Sequence, residues 1–208
     1  MCFSATASFA IGGALSAVGV ATLYHVKTRR ELAFAAIPFL FAIQQFIEGM
    51  LWLSFGYEDG ALQTIATYAF TMFSHVLWPI YIPFAVGLME VERWNKKVIL
   101  LFRVIGLAAG FHLLVLISTQ PLTAKAAEHI VYVSPNIYDW PMMMLYIAVT
   151  CLVSFFSSHL FIRLFGLLAL LLFVITYLFY TEAFISVWCF FAATLSLIVY
   201  FQFSQKKS

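Results

Sequence analysis

Residues 160–203 read LFIRLFGLLALLLFVITYLFYTEAFISVWCFFAATLSLIVYFQF, 44 residues with two charged side chains, Arg163 and Glu182. A hydrocarbon layer about 30 Å thick is crossed by roughly 20 apolar helical residues. The stretch therefore holds two membrane spans, 160–180 and 183–203, turning at Tyr180-Thr181-Glu182. Working outward, five further apolar runs lie between clusters of charge, at 4–26, 32–56, 61–89, 98–119 and 140–157. The reading is an all-α, polytopic, seven-transmembrane-helix bundle, falling to six if the turn at Glu182 does not form.

Composition excludes the alternatives. The chain is 208 residues long, 64% hydrophobic and 10% charged, with a mean hydropathy of +0.99. Soluble domains are near half apolar and about a quarter charged. A net charge of +2 leaves no basic face for a nucleic-acid backbone. No Gly, Ser or Pro linker divides the chain, so 1–208 is one domain. Its long connection, 120–139, either folds back over a pocket as a lid or stays solvated.

Lysine and arginine are retained on the cytoplasmic side of membrane proteins. Lys27, Arg29, Arg30, Arg93, Lys96, Lys97, Arg103, Arg163, Lys206 and Lys207 fall on one side of the seven-span topology, and Lys125 alone falls on the other. The N-terminus is then outside and the C-terminus cytoplasmic. The first run has its basic cluster after it, unlike a signal peptide, so it reads as a retained helix. Cys2 precedes the apolar stretch, which argues against a lipoprotein anchor. Gly12, Gly13, Ser16 and Ala17 give small-residue spacings for close helix packing.

Ionisable and amide groups within the spans carry the functional reading, because each is costly in hydrocarbon. Glu48 is the first candidate, as a catalytic acid or base. Gln45, Glu48 and Trp52 share one helical face. A lone carboxyl there keeps its proton, whereas one beside a cation stays charged. The structural alternative is a neutral Glu48 clamped by a glutamine. Thr64, Tyr68, Thr71, His75 and Trp78 form a stripe on the third helix, and Pro79 and Pro83 predict a kink just past His75. Mirroring the helices about their turns puts His75, His112, Gln44 and Gln45 at one depth. These four are candidate cofactor-binding residues, with the two imidazoles able to hold a metal ion or haem iron.

A second candidate set lies nearer the outer mouth. Glu182, Ser186 and Cys189 share a face, and Cys2 sits at the mouth. The two thiols admit three readings: a disulfide, paired ligands for a soft metal, or unrelated buried groups. Cys151 reads as a small buried hydrophobe. His129 joins Cys2, Glu48 and Cys189 as a metal set if its loop dips inward, and is otherwise solvated. His25 and His159 read as interfacial.

Met1-Cys2-Phe3-Ser4-Ala5, Gln44-Gln45-Phe46-Ile47-Glu48-Gly49, Trp78-Pro79, His129-Ile130-Val131-Tyr132 and Trp188-Cys189-Phe190-Phe191-Ala192 together resemble an uncharacterised family of small bacterial seven-helix membrane proteins with no assigned function. The resemblance spans nearly the whole chain and implies a bacterial inner-membrane setting. It implies no activity. Rhodopsin-type proteins need a lysine in the seventh helix, and none lies between Arg163 and Lys206. The paired last-helix histidines of alkaline-ceramidase-like hydrolases are also missing, as are the repeat and Pro-Gln pair of three-plus-one-plus-three sugar transporters.

The leading expectation is a membrane enzyme or redox protein with a metal or small-ligand pocket in the extracytoplasmic half. Zinc would activate water with Glu48 as general base on a lipid-like substrate, or thiolates would favour copper or haem iron. A proton-coupled permease using Glu48 and the histidines is the second reading. The third is a non-catalytic subunit or scaffold. Beyond the lipid bilayer and a lipid-like or small-molecule ligand, the sequence names no partner.

Overall fold

The computed structural model describes residues 4–135 and 139–205. Seven helical segments follow in order: α1 (Ala5–Tyr24), α2 (Leu32–Gly56), α3 (Gly60–Met89), α4 (Arg93–Thr119), α5 (Trp140–Phe156), α6 (Leu160–Phe179) and α7 (Phe184–Ser204). All except α5 are long and apolar enough to cross a membrane. Between α4 and α5 lies an antiparallel hairpin of β1 (Thr123–Ala126) and β2 (Ile130–Val133). The fold is helical as expected, with this hairpin where a lid or a solvated loop was anticipated.

The 17-residue α5 still runs from one end of the bundle to the other. It begins beside the hairpin and ends in a 3-10 stretch, Leu152–Phe156, whose longer rise brings the segment to about 26 Å. At its far end the Ser158 N–H donates to Glu90 just beyond α3, at 2.7 Å. The bundle thus has a hairpin end and a basic end. The described lysines and arginines other than Lys125 belong to turns or the first turns of helices at the basic end, apart from Arg103, which lies about three turns into α4.

Two seams hold the helices close. On α1, a Cβ at Gly12 would meet the Phe46 ring at 2.9 Å, and one at Gly19 would meet the Phe39 backbone N at 2.9 Å. The α1–α2 seam therefore runs through Gly12 and Gly19, while Gly13 and Ala17 of the expected small-residue pattern are exposed. On α4, a Cβ at Gly106 would overlap the Pro79 carbonyl oxygen. That carbonyl is unclaimed within α3 because its usual donor four residues on is Pro83, which has no N–H. Glycine at 106 lets the neighbouring backbone cover it.

The kink expected in α3 takes the form of a π-helical turn, Met72–Leu77. In that wider register the carbonyl of Ser74 faces Pro79, which has no hydrogen to give. Tyr146 from α5 donates its hydroxyl to that carbonyl instead. The extra residue also re-phases the helix. Thr71, His75 and Trp78 of the expected stripe are buried; Thr64, which precedes the π turn in the second turn of α3, is exposed near the helix end and bonds back to Gly60.

At the basic end Glu90 is the hub. Only 1% exposed, its carboxyl accepts from the N–H groups of Val91 and Glu92 and from both the N–H and hydroxyl of Ser158, all between 2.7 and 2.9 Å. Burial pushes the carboxyl up, but these four donors outweigh it and hold Glu90 below the usual glutamate range. One side chain thereby ties the α3–α4 turn to the α5–α6 turn.

Candidate functional site

The polar layer begins on α2. Gln44, Gln45 and Glu48 are each fully buried, because α2 lies against α1, α3 and α7 and buries most of its surface. Gln44 Oε1 accepts from the indole N–H of Trp78 at 2.7 Å, and Trp78 stacks on Phe41 with ring centroids 4.0 Å apart. Gln45 Nε2 donates to Glu48 Oε2 at 3.4 Å. The Ser186 hydroxyl, from the first turn of α7, donates to Glu48 Oε1. Glu48 thus joins α2 to α7 through a serine. No described lysine or arginine is buried, so none serves it as an internal counter-ion. Gln45 Oε1 meets no hydrogen-bond partner among the described residues, whereas the Gln44 amide stands beside the Cys189 thiol. An unmatched amide oxygen in a sealed apolar layer is costly, and it fits a site that accepts a small polar donor.

Ser186 has a second environment. With Ile130, Tyr132, Trp140, Tyr177 and Phe184 it lines a cavity of about 500 Å³ at the hairpin end. The hairpin covers this cavity. Tyr132 stacks on Phe70 of α3 at 4.7 Å, and Gln63 Nε2 donates to the Ala124 carbonyl at 3.1 Å. Strand alternation turns Ile130 and Tyr132 inward, and both are buried. The expectation of a lid thus has a physical counterpart, a hairpin anchored over a pocket.

Two small voids continue inward between α5 and α7. One, about 20 Å³, is lined by His75, Leu113, Met143, Tyr146 and Phe184; the next, about 30 Å³, by Tyr146, Thr150, Cys151, Trp188 and Cys189. Each is about the size of one water. Met143, Phe184 and Ile185 line both the large cavity and the first void, and Tyr146 lines both voids.

The expected pairing of His75 with His112 is not formed. His75 is 3% exposed, with Nδ1 2.8 Å from the Ser74 hydroxyl. His112 is exposed in a groove with Leu116, Gln120 and Asp139. The reason is helical phase: Ala109, Leu113 and Ile117 occupy the inward face of α4, and His112 stands about 100° away from Leu113. Equal depth does not bring two residues onto facing surfaces.

Of the expected metal set, Glu48, His129 and Cys189 lie within the described residues. Among the described residues no three His, Cys, Asp or Glu side chains converge as a metal site requires. His129, expected to be solvated unless its loop dips inward, is 8% exposed and packs edge-on against Tyr180 at 5.2 Å. Cys189 is buried with a free thiol, as is Cys151, which fits the reading of buried thiols rather than a disulfide at Cys189. Cys2 lies outside the described residues.

Ser74, Tyr146 and Glu90 are absent from the candidates that the sequence supplied. For Tyr146 a signal existed, since Met143, Tyr146 and Thr150 share a face of α5. Ser186 was placed on one face with Cys189, but nothing in sequence spacing links it to Glu48, 138 residues away.

The model of the family of unknown function DUF6629 matches residues 1–208. No curated protein and no solved structure matches the chain. The chain belongs to that family.

Proposed function

We propose that this DUF6629 member is an integral membrane protein that binds a small amphipathic molecule in a pocket opening on the extracytoplasmic side. The Ser186–Glu48 pair would form the polar end of that pocket. Six helices long and apolar enough to cross a bilayer support membrane residence, and the concentration of basic residues at the end opposite the hairpin supports an outward-facing cavity. Localisation to the cell membrane follows on this reading. The observation that carries it is the double role of Ser186, which lines a cavity of about 500 Å³ and hydrogen-bonds a fully buried carboxyl. Ligand sites are mostly apolar, with a few convergent polar groups.

Trp140 provides the readout. A brominated twelve-carbon amphiphile added to the protein in nanodiscs should quench fluorescence saturably, and the quenched fraction should fall in Trp140→Phe. Glu48→Gln and Ser186→Ala should each weaken binding about five-fold or more, the equivalent of one lost hydrogen bond. Unchanged affinity in both variants would remove the reading.

A second reading, proton-coupled transport, has its own observation: the voids beside His75 and Tyr146 continue the pocket toward the centre of the bundle. Its test is pH-driven uptake in proteoliposomes, abolished by His75→Phe while the fold persists. Uptake unaffected by that substitution would discard it.

A further inference from the structure

Resting on the ligand-pocket reading, we infer that the ligand carries an ammonium headgroup, held in an aromatic cage at the mouth of the hairpin-end cavity. Trp140, Tyr177 and Phe184 form three sides of this cage. The Trp140 and Tyr177 ring centroids are 6.0 Å apart with planes at 52°, and Tyr177 and Phe184 are 6.2 Å apart at 83°. Rings set at steep mutual angles offer faces from different directions to one guest, the arrangement that recognises quaternary and primary ammonium groups. Tyr132 adds a fourth ring to the cavity wall.

Charge points the same way. The cavity wall includes Glu182, and its floor is Ser186, the donor to Glu48. No lysine, arginine or histidine is among its described lining residues. The basic side chain in the hairpin, Lys125, pairs with Val131, so strand alternation sends it to the face opposite Ile130 and Tyr132. His129 packs on Tyr180, which is not a lining residue. Among the described lining residues an anion would find no lysine, arginine or histidine, whereas a cation finds ring faces and the carboxyl group of Glu182.

The cage itself is held in place. Phe184 stacks on Trp188 at 6.0 Å, and the Trp188 indole N–H donates to the Ala169 carbonyl of α6 at 3.1 Å. Tyr177 stacks on Phe173, one turn below on the same helix, at 6.2 Å. Rings fixed before binding lose little freedom on capture. Trp140 is 54% exposed at the entrance, where a guest arriving from water or from the lipid surface would meet it first.

The test uses the full chain in nanodiscs of anionic and neutral lipid lacking choline headgroups, with three twelve-carbon probes matched in chain length. Dodecyltrimethylammonium should bind at least about five-fold more tightly than dodecyl maltoside, and dodecyl sulfate least, the preference expected from cation–π contact plus one carboxylate. Tyr177→Leu and Glu182→Gln should each erase most of that preference, read as the ratio of dodecyltrimethylammonium to dodecyl maltoside affinity within each variant. Competition by free choline would identify a water-soluble cation as the guest. Competition by dodecylphosphocholine alone would identify a lipid headgroup. Either supports the ammonium assignment. Equal binding of all three probes, still weakened by Glu48→Gln, overturns the assignment and leaves the pocket reading standing. Absence of saturable binding by any probe overturns both.

Discussion

Ser186 stands between an open cavity and the buried carboxyl of Glu48, lining the first and hydrogen-bonding the second. Its neighbours in sequence follow suit, since Phe184 and Ile185 also line that cavity. The first turn of α7 is therefore where the inside of the bundle meets its accessible space.

Removing that hydroxyl leaves a carboxyl oxygen buried without its donor. Ser186→Ala should lower stability by about 1–3 kcal/mol, read as a fall in thermal midpoint in detergent. Glu48→Gln should cost less, because the amide oxygen still accepts from Ser186. If Glu48→Leu proves more stable and binds amphiphile as well as the parent, the carboxyl has no part in the pocket.

The Tyr146 hydroxyl is the donor for a carbonyl that the π turn and Pro79 leave open. Tyr146→Phe keeps the ring but strips that donor, and should destabilise by about 1–3 kcal/mol. An unchanged midpoint would mean that the Ser74 carbonyl finds another donor.

Two glycines predict opposite outcomes. Gly106→Ala places a methyl group against the Pro79 carbonyl, a backbone atom that cannot swing away, and should cost about 1–3 kcal/mol. A Cβ at Gly13 has nothing within 4 Å, so Gly13→Ala should be neutral or stabilising by up to about 1 kcal/mol through helix propensity. Equal effects at the two sites would contradict the close α3–α4 approach.

Glu90 sets a pH dependence outside the apolar spans. Its carboxyl is held below the ordinary glutamate range in the folded chain, so the stabilisation is complete above that range. It disappears as pH falls through the depressed value, when the folded state must take up a proton. Glu90→Gln should lower the midpoint at neutral pH and flatten its acid limb. Parallel profiles for parent and variant would refute the role.

Cys151 and Cys189 are 1% and 3% exposed. In a Cys2→Ser background a maleimide should label neither until the protein is denatured, after which two equivalents should add. Rapid native labelling would show that the inner voids open to solvent.

Much of the architecture was legible because hydrocarbon imposes simple length and charge rules. Seven apolar runs became seven helical segments, and even the narrow turn at Glu182 separates α6 from α7. Pro79 pointed to an irregularity beside His75, which takes the form of a π turn that contains His75 rather than a kink beyond it. What sequence could not supply was azimuth. His112 matches His75 in depth yet lies on the wrong side of Leu113, and Thr64, though in phase with Thr71, lies near the exposed start of α3. The hairpin was hidden for a different reason, as its strands are four residues each and carry one weak alternation. Glu48 was found because a carboxyl amid apolar residues is conspicuous, whereas serines 74 and 186 looked ordinary until tertiary contact gave them partners.

The π turn acts as a phase adjuster for everything after it in α3. Deleting any single residue from 72–77 would restore ordinary winding and swing the following segment by about 100°. Trp78 would leave Gln44, the Pro79 carbonyl would leave Gly106, and Tyr81 would lose the Ala33 carbonyl to which it donates at 2.7 Å. Chains of this kind should therefore tolerate length changes in the 120–139 connection far more readily than one missing residue in the middle of this helix.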